Sequence, residues 1–407
     1  DLANNHQGDL EHAKQIIKKY SDITNKFDVK ATIKFQFRQL ESFIHPKYKE
    51  LTKNKHIDRF KSTRLQIQDY QILLNEIKNS GLLTCCTPFD EESVDLIKKM
   101  DFDLIKIASC SAKDWPLIEK AVKINKPIVC STGGLKIDEI DDLVSFFDHK
   151  GCDFSLMHCV SIYPTPIEKM NLAIIDTLRK RYPHLTIGWS THESPEDFDI
   201  IKIAYSQGAR MFEKHIGLNN KQYKLNAYSS DINQFEKWIE SYNKTRITCG
   251  SVDSKFIHEE EIEGISSLLR GVYAKKRIIK GQKLPRESVY FAMPYNNGQL
   301  ESGKFSENLE ADKNYNKNDP ISESKLKRTS TNDSKILKKT IHIIKAMLRE
   351  SKIVLNTNFE VEYSHHYGLK KFYEIGAVII NCINRSYCKK LIIILPNQKH
   401  PAHFHKK

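Results

Sequence analysis

The stretch LIKIASCSAKDWPLIEKAVKINKPIVCSTGG, from Leu104 to Gly134, holds two short apolar runs separated by a longer helical stretch. The apolar runs are Leu104–Ala108 and Ile128–Cys130, and small polar residues follow each of them. A strand, a helix and a second strand in this order form the unit from which parallel sheets are built. The fold therefore depends on how often this unit recurs along the chain.

The pattern recurs over about the first 216 residues and gives eight apolar runs. The runs are Asp1–Ala3, Ala31–Phe35, Leu82–Cys86, Leu104–Ala108, Ile128–Cys130, Phe154–Cys159, Thr186–Trp189 and Met211–Phe212. Helical segments between them include Glu11–Tyr20, Ile67–Ser80, Glu92–Met100 and Asp138–His149. Eight strands alternating with helices predict an α/β fold, a (β/α)8 TIM barrel over residues 1–250. The alternative is a doubly wound sheet, but the turn Asn4–Gly8 lacks the glycine spacing expected after its first strand.

The pattern changes after the barrel. Short strands with turns predict a small β-rich domain over residues 266–326, and a polar linker is predicted at 327–335. A helix over Ile336–Arg349 and strands at Ala377–Cys382 and Leu391–Leu395 then predict a third β segment, 336–407. Because the chain lacks an initiator Met and ends within a His-rich motif, we expect a fragment with a clipped first strand and an incomplete last domain.

Composition indicates a globular protein: 40% of the 407 residues are hydrophobic and 28% are charged. We expect no membrane partner, since no apolar run approaches the roughly 20 residues of a membrane span, and no cleavable signal is visible. The net charge is +13, but the lysines are spread along the chain, so we expect no nucleic-acid partner. Nine cysteines without a CxxC pair predict a cytoplasmic protein.

Each predicted strand ends with hydrogen-bonding or ionisable side chains. In chain order, these groups are Asn5 and His6; Lys34 and Gln36; Thr87–Asp90; Lys106 and Ser109; Ser131–Gly134; His158, Ser161 and Tyr163; Ser190–Glu193; and Glu213–His215. Active sites of such barrels lie at the carboxyl ends of the strands. The sequence therefore predicts an active site at that face.

Two lysines and three serines in this set predict a site for a phosphate or a carboxylate. They are Lys34, Lys106, Ser109, Ser131 and Ser190. A buried ammonium group needs a partner, so a lysine inside an apolar strand favours a functional role. The alternative for each serine alone is a structural role, in which its hydroxyl makes a hydrogen bond within its own turn.

His192 and His215 end neighbouring strands, so their imidazoles are predicted to meet at one divalent ion. Two protein nitrogens leave the other ligand positions to water and substrate oxygen. This suits Mn²⁺ or a similar octahedral ion better than structural zinc. The alternative is a pair of hydrogen-bonded core histidines.

Together these motifs resemble the sialic acid synthase (N-acetylneuraminate synthase) family, in its order and spacing, over about residues 1–250. The motifs are Asn5-His6-x-Gly8-Asp9, Ile33–Gln36, Thr87–Phe89, Lys106–Ser109, Ser131–Gly133, His158–Pro166 and Glu213–His215. Residues 266–326 are similar to the antifreeze-like (SAF) domain that follows the family's barrel. In the family that domain covers the partner subunit's active site, which implies a domain-swapped homodimer.

The resemblance implies condensation of phosphoenolpyruvate with an aldose, giving a 2-keto sugar acid and phosphate in surface-glycan biosynthesis. Phosphoenolpyruvate would be held by the two lysines and three serines named above. A metal on His192 and His215, Mn²⁺ with Mg²⁺ or Co²⁺ as alternatives, would polarise the aldehyde oxygen. Asp1, Lys106 and Tyr163 are the predicted catalytic residues, and Gln36, Ser161 and Tyr163 are predicted to line the substrate site.

The chain also departs from the family pattern. Asp1 and Ser111 stand where the family usually has glutamates, and Tyr223–Ser229 holds no carboxylate where an acidic residue is expected. Ala292-Met293-Pro294 replaces the context of the arginine that contacts the N-acetyl group. We therefore expect a sugar other than N-acetylmannosamine. The alternative is a catalytically degenerate barrel that binds sugar or phosphoenolpyruvate as a scaffold or regulator.

The C-terminal segment resembles the start of a D-lyxose isomerase-like cupin. The matching stretches are His365–Gly368, Gly376–Ile380, Cys388–Pro396 and His400–His405. His403 and His405, two apart on one strand, would place both imidazoles on one face as metal ligands. The apolar strand before them argues against a cloning tag. We expect a truncated cupin-like domain over 336–407 with little isomerase activity.

Overall fold

The computed structural model describes residues 1–49, 54–251, 255–323, 332–354, 360–365, 367–384 and 388–400. The chain divides into two compact units, and the boundary falls between residues 254 and 255. The first unit is a parallel sheet surrounded by helices, and the second contains antiparallel β structure. His403 and His405, the predicted cupin ligands, lie outside the described residues.

Seven parallel strands form the sheet of the first unit, in sequential order. They are β1 (Thr32–Phe37), β2 (Leu83–Pro88), β3 (Leu104–Ile107), β4 (Ile128–Ser131), β5 (Phe154–Cys159), β6 (Ile187–Ser190) and β7 (Met211–Glu213). They correspond to the second through eighth predicted runs. The predicted parallel α/β architecture is therefore confirmed, and the sequential strand order is that of a TIM-like barrel.

The first predicted run occupies the seam between β1 and the residues that follow β7. The Leu2 N–H donates to the Lys34 carbonyl at 3.0 Å, and the Ile216 N–H donates to the Asp1 carbonyl at 3.0 Å. The backbone nitrogen of Asp1 also donates to the Lys214 carbonyl at 2.8 Å. Residues 1–3 thus hydrogen-bond to both edges of the sheet, although they are too short to form a named strand.

Eleven helices are described in the first unit. They are α1 (Leu10–Lys26), α2 (Leu40–Phe43), α3 (Pro46–Lys49), α4 (Lys55–Ser62), α5 (Ile67–Asn79), α6 (Glu91–Met100), α7 (Trp115–Val122), α8 (Ile137–His149), α9 (Ile174–Arg181), α10 (Asp199–Ser206) and α11 (Ile232–Cys249). Several begin at an aspartate that accepts from a first-turn N–H, among them Asp9, Asp90, Asp114 and Asp231. These caps fix where each strand-to-helix loop ends.

The core of the first unit lies between the sheet and the helices, and fully buried Phe35, Ile105, Ile107 and Trp189 belong to it. Polar residues at the ends of β4 and β6, Ser131 and Ser190, are also buried. Because buried polar groups require partners, the carboxyl ends of the strands form a polar network above an apolar layer.

The second unit begins with α12 (Glu259–Ser266) and an antiparallel pair, β8 (Gly271–Ala274) and β9 (Val289–Ala292). Isolated bridges such as Ile278 to Tyr315 and Gln299 to Ser322 extend this pairing. Val272, Leu284, Leu300 and Ile321 belong to its buried core. The β structure predicted after the barrel is confirmed, and its strand pairing is antiparallel.

The rest of the second unit contains α13 (Asn332–Glu350) and a sheet of β10 (Glu360–Ser364), β11 (Ala377–Asn384) and β12 (Cys388–Ile393), in that order. The helix begins four residues before the predicted Ile336, and Asp333 lies in its first turn, where the helix dipole favours an acid. Within the described parts of the chain, no helix combines the length and apolar character needed to cross a bilayer.

Candidate active site

Lys34 of β1 and Lys106 of β3 meet at the carboxylate of Glu213, the last residue of β7. Their Nζ atoms lie 2.9 and 3.0 Å from the same oxygen, Glu213 Oε2. Ser190 Oγ donates to the other oxygen at 2.9 Å. Burial alone would raise the pKa of Glu213, but the ammonium groups of Lys106 and Lys34 hold it well below its usual range. The carboxylate is therefore ionised between two cations.

Asp1 lies beside this cluster. Its Oδ2 is 3.1 Å from Lys34 Nζ and accepts from Gln36 Nε2 at 3.2 Å. The same oxygen lies 3.6 Å from His215 Nδ1, and Oδ1 accepts from the Ala3 N–H at 2.9 Å. The structure thus brings the predicted residues Asp1, Lys34 and Gln36 together, next to a predicted metal ligand.

His192 and His215 face each other with ring centroids 5.3 Å apart. His192 Nδ1 lies 3.1 Å from the Val160 carbonyl, which places the ring proton on Nδ1 and the lone pair on Nε2. Burial lowers the pKa of His192 to about 4, and burial and then the neighbouring His192 hold that of His215 well below its usual range. Both rings are neutral at pH 7, the form that binds metals.

The two imidazoles fit a divalent ion that keeps open ligand positions. Buried His215 Nδ1 has no hydrogen-bond partner in the structure. Over the described residues, no group of three or more His, Cys, Asp or Glu side chains is arranged to hold a metal. Protein nitrogens would therefore fill only part of the coordination shell, as the sequence predicts.

Tyrosine rings flank the two histidines. The ring of Tyr163 lies 4.3 Å from His192, and that of Tyr228 lies 5.2 Å from both Tyr163 and His215. The Tyr163 residue is 52% exposed, so its ring is open to solvent beside the site. Tyr228 was not predicted, because it lies in the stretch noted only for its missing carboxylate.

Serine hydroxyls converge on Gly133, in the turn after β4. Ser109 Oγ accepts from the Gly133 N–H at 3.0 Å. A methyl group on Gly133 would lie 2.7 Å from both Ser109 Oγ and Ser161 Oγ, so a larger residue here would force both hydroxyls to move. Ser131 Oγ is buried without a partner. Because unpaired buried hydroxyls are rare, the cluster has the character of an anion site.

The thiol of Cys159, at the end of β5, connects the two clusters. It lies against the hydroxyls of Ser109 and Ser190, and burial raises its pKa. The predicted substrate-binding residues therefore form a continuous surface from the serine cluster to the lysine pair. A cavity of about 630 Å³ adjoins this surface; its lining includes Asp1, Lys34, Lys106 and Glu213 and continues toward the amino ends of β1 and β7.

Some strand-end residues have other roles. His158 Nε2 lies 2.9 Å from the Met170 carbonyl, and its ring packs on Trp189, which is a structural environment. Ser111 is buried in the 3-10 turn Ser109–Ser111. Lys214 pairs with Glu193 at 2.9 Å, both fully buried. Glu213 belongs to one of the sequence motifs, but no role was predicted for it, because its position beside two lysines of distant strands cannot be predicted from the sequence.

The model of the NeuB family matches residues 25–254, more than half of the chain. The chain belongs to the NeuB family. The matched range contains both lysines, the serines and both histidines of the site, whereas Asp1 precedes it.

Named relatives agree with the NeuB assignment. A Chromobacterium violaceum protein named for spore coat polysaccharide biosynthesis has 40% identity and a TM-score of 0.78 over 80% of this chain and 98% of its own. The pseudaminic acid synthase of Campylobacter jejuni is 28% identical over 72% of this chain and 86% of its own. The N-acetylneuraminic acid synthetase of Leptospira borgpetersenii, solved with citrate, has 27% identity and a TM-score of 0.57 over 65% and 88%.

Proposed function

We propose that this NeuB-family protein is a phosphoenolpyruvate-dependent synthase that condenses phosphoenolpyruvate with an aldose to give a 2-keto sugar acid in surface-glycan biosynthesis. Family membership and the sialic and pseudaminic acid synthases among its relatives support the reaction class. The observation that carries the proposal is the pair of buried ammonium groups, Lys34 and Lys106, beside serine hydroxyls of which that of Ser131 has no partner among the described residues. Such a set binds a small polyanion.

In this proposal, Lys34, Lys106, Ser109, Ser131 and Ser190 hold the phosphate and carboxylate of phosphoenolpyruvate. Glu213 keeps both ammonium groups pointed at one place before substrate arrives. Tyr163 and Ser161 line the sugar side, and Gln36 orients Asp1. Positioned cations of this kind stabilise negative charge that develops during the reaction.

His192 and His215 would hold the divalent ion, which when bound supplies polarisation of the aldehyde oxygen. C3 of phosphoenolpyruvate forms a bond to the aldehyde carbon, and the aldehyde oxygen gains a proton. Water then adds at C2 and loses its proton to a carboxylate, for which Asp1 is placed between Lys34 and His215. The C2 hydroxyl then gives its proton to the departing phosphate as the C2–O bond to phosphate breaks, which leaves the 2-keto acid and inorganic phosphate. The other proton of the added water balances the one that the aldehyde oxygen has gained.

Finer assignments belong to the same proposal. We propose Mn²⁺ as the metal, with Mg²⁺ and Co²⁺ as alternatives, and a cytoplasmic, domain-swapped homodimer. Residues 266–326 are proposed as an SAF domain and 336–407 as a cupin-like domain; of the predicted linker 327–335, residues 332–335 belong to α13 and the others lie outside the described residues. The antiparallel β structure of both segments supports these assignments.

The test measures phosphate release from phosphoenolpyruvate with Mn²⁺ and a panel of aldoses, with and without chelator. We expect release with at least one aldose that stops on chelation. Lys106→Ala should lower kcat at least 100-fold, because it removes a cation from the anion site. Lys120→Ala, which breaks an exposed pair with Asp95, is the matched control. Unchanged turnover in Lys106→Ala would contradict the site assignment.

A second candidate function is a non-catalytic barrel that binds phosphoenolpyruvate or sugar. Ser111, buried where the family usually has a glutamate, favours it, since a hydroxyl cannot act as that carboxylate. Calorimetric binding of phosphoenolpyruvate, with no phosphate released from any aldose of the panel, would establish this function instead.

A further inference from the structure

A cavity of about 250 Å³ lies beside the carboxyl end of β1, next to Gln36. Its lining includes Asn4, Gln36, Arg38, Thr63, Arg64 and Gln66. Two arginines therefore line it together with amides and a hydroxyl, and no aspartate or glutamate is among its described lining residues. A cavity with this composition has a positive potential and offers hydrogen-bond donors.

Arg38 is the fixed cation of this cavity. Its guanidinium lies between two aromatic rings, 4.0 Å from the centroid of Phe60 and 3.6 Å from that of Phe89. The rings cover both faces of the group and leave its edge for hydrogen bonding. Burial lowers the pKa of Arg38 to about 10, so the group stays charged at neutral pH.

The donors of Arg38 are mostly unused within the described residues. Nη2 donates to Gln36 Oε1 at 2.9 Å, while buried Nε has no partner. The nearby carboxylate of Asp90 is engaged elsewhere, since it caps α6 and accepts from the Gln39 N–H at 2.8 Å. A buried guanidinium without a carboxylate partner is costly unless a ligand supplies the acceptor.

A short chain of contacts connects Arg38 to the proposed reaction centre. Arg38 contacts Gln36, Gln36 Nε2 donates to Asp1 Oδ2 at 3.2 Å, and this oxygen lies 3.6 Å from His215 Nδ1. An open-chain aldose with its aldehyde beside His215 must place its other end away from the lysine pair. The Arg38 cavity is one such place.

We propose that the Arg38 cavity binds an anionic group at the end of the acceptor aldose farthest from the aldehyde. The proposal rests on the synthase function and specifies its acceptor class as acidic open-chain sugars, a terminal phosphate or carboxylate in place of a neutral hydroxymethyl group. Arg38 provides the fixed charge, and the exposed side chain of Arg64, which pairs with Glu41 at 3.7 Å, lies at the rim of the cavity. Charge-assisted hydrogen bonds of this kind discriminate strongly against neutral analogues.

The experiment measures kcat/KM for five acceptors in the holoenzyme with Mn²⁺ and phosphoenolpyruvate. N-acetylmannosamine is compared with its 6-phosphate, and D-mannose is compared with mannose 6-phosphate and mannuronate. We expect the acidic member of each comparison to be preferred by at least 10-fold. A preference for mannuronate over mannose 6-phosphate assigns a carboxylate, and the reverse assigns a phosphate. Equal kcat/KM for neutral and acidic sugars would overturn the proposal and leave the synthase function intact.

The Arg38→Met variant tests whether Arg38 binds the acidic group of the acceptor. It should raise the KM of the acidic acceptor at least 10-fold, leave the KM of phosphoenolpyruvate unchanged and abolish the preference for acidic sugars. Arg181→Met, which breaks an exposed pair with Asp141, is the control. If Arg38→Met does not fold, Arg38→Lys keeps the charge but loses the planar fork, and is expected to retain only part of the preference.

The two proposals can fail separately. If no acceptor supports phosphate release, the synthase function fails, and calorimetry with N-acetylmannosamine 6-phosphate then decides the cavity alone. Loss of N-acetylmannosamine 6-phosphate binding in Arg38→Met would support an anion site in the cavity. Equal binding of the 6-phosphate and of N-acetylmannosamine, or unchanged binding in the variant, would contradict it.

Discussion

At the scale of single residues, Glu213 is held by three side chains from three other strands: Lys34, Lys106 and Ser190. One oxygen serves two ammonium groups, so loss of the charge leaves Lys34 with Asp1 alone and leaves buried Lys106 without a carboxylate partner among the described residues. Removal of one member of a buried ion pair is far more destabilising than removal of an exposed pair.

We therefore expect Glu213→Gln to lower the free energy of unfolding by about 3 kcal/mol. The measurement is urea denaturation at neutral pH. Glu41→Gln, which breaks an exposed pair with Lys49, should change it by less than about 0.5 kcal/mol. Equal effects of the two substitutions would show that the carboxylate does not stabilise the lysine pair.

Gly133 gives a second residue-scale prediction. The added methyl group in Gly133→Ala would lie 2.7 Å from Ser109 Oγ and Ser161 Oγ, so both hydroxyls must move. We expect the KM for phosphoenolpyruvate to rise at least 10-fold in steady-state phosphate release. Gly264→Ala, where an added methyl meets nothing within 4 Å, is the control. An unchanged KM would place the phosphoenolpyruvate site elsewhere.

The buried imidazole of His6 predicts a pH dependence of stability. Burial, and then the neighbouring His12, lower its pKa to about 4, whereas the unfolded chain titrates near 6.5. Between these values the unfolded state binds the proton, so stability is lost as pH falls from about 6.5 to about 4, by at most about 3 kcal/mol. Urea midpoints measured with chelator present should show this fall, and a smaller one in His6→Gln. Identical slopes would contradict the assignment.

At the scale of elements, Tyr20 ties α1 to the segment after β7. Its hydroxyl lies 2.7 Å from both the Gly217 and Ser230 carbonyls, and the Gly217 N–H donates to it at 3.3 Å. Tyr20→Phe removes the donor of the Gly217 carbonyl, although the Gly217 N–H still bonds the Ser230 carbonyl at 3.1 Å, and should cost about 1–3 kcal/mol in thermal or urea unfolding. Tyr48→Phe, at an exposed tyrosine, should be neutral. A neutral Tyr20→Phe would mean that water replaces the hydroxyl.

The strands were predictable because each is a short apolar run with a polar end, and seven of the eight runs are strands. The residues 1–3 are too few to show a pattern, and their place is set by backbone bonds to Lys34 and Ile216. Lysines and histidines of the site were visible as ionisable groups at strand ends. Glu213, Tyr228 and the Arg38 cavity were not, because their roles depend on side chains from distant parts of the chain.

At the scale of the whole molecule, the domain-swapped homodimer remains a prediction from the family resemblance. We expect sedimentation velocity to give a mass of about twice 47.2 kDa. Specific activity should fall on dilution below the dissociation constant, since the partner's SAF domain would complete each site. A monomer with full, concentration-independent activity would exclude the swapped arrangement.

Residues 1–3, which hydrogen-bond to both edges of the sheet, also carry Asp1, the carboxylate that we propose as the catalytic base. Side chains of an extended segment alternate between faces, so a slip of one residue at the seam would exchange Asp1 for Leu2 at the reaction centre. The backbone bonds to Lys34 and Ile216 could still form in such a shifted register. Leu2, which is fully buried in the apolar core, would then face the polar centre, so the slipped protein would be less stable and catalytically silent. The activity per folded molecule therefore reports whether residues 1–3 pair with the two sheet edges in the correct register.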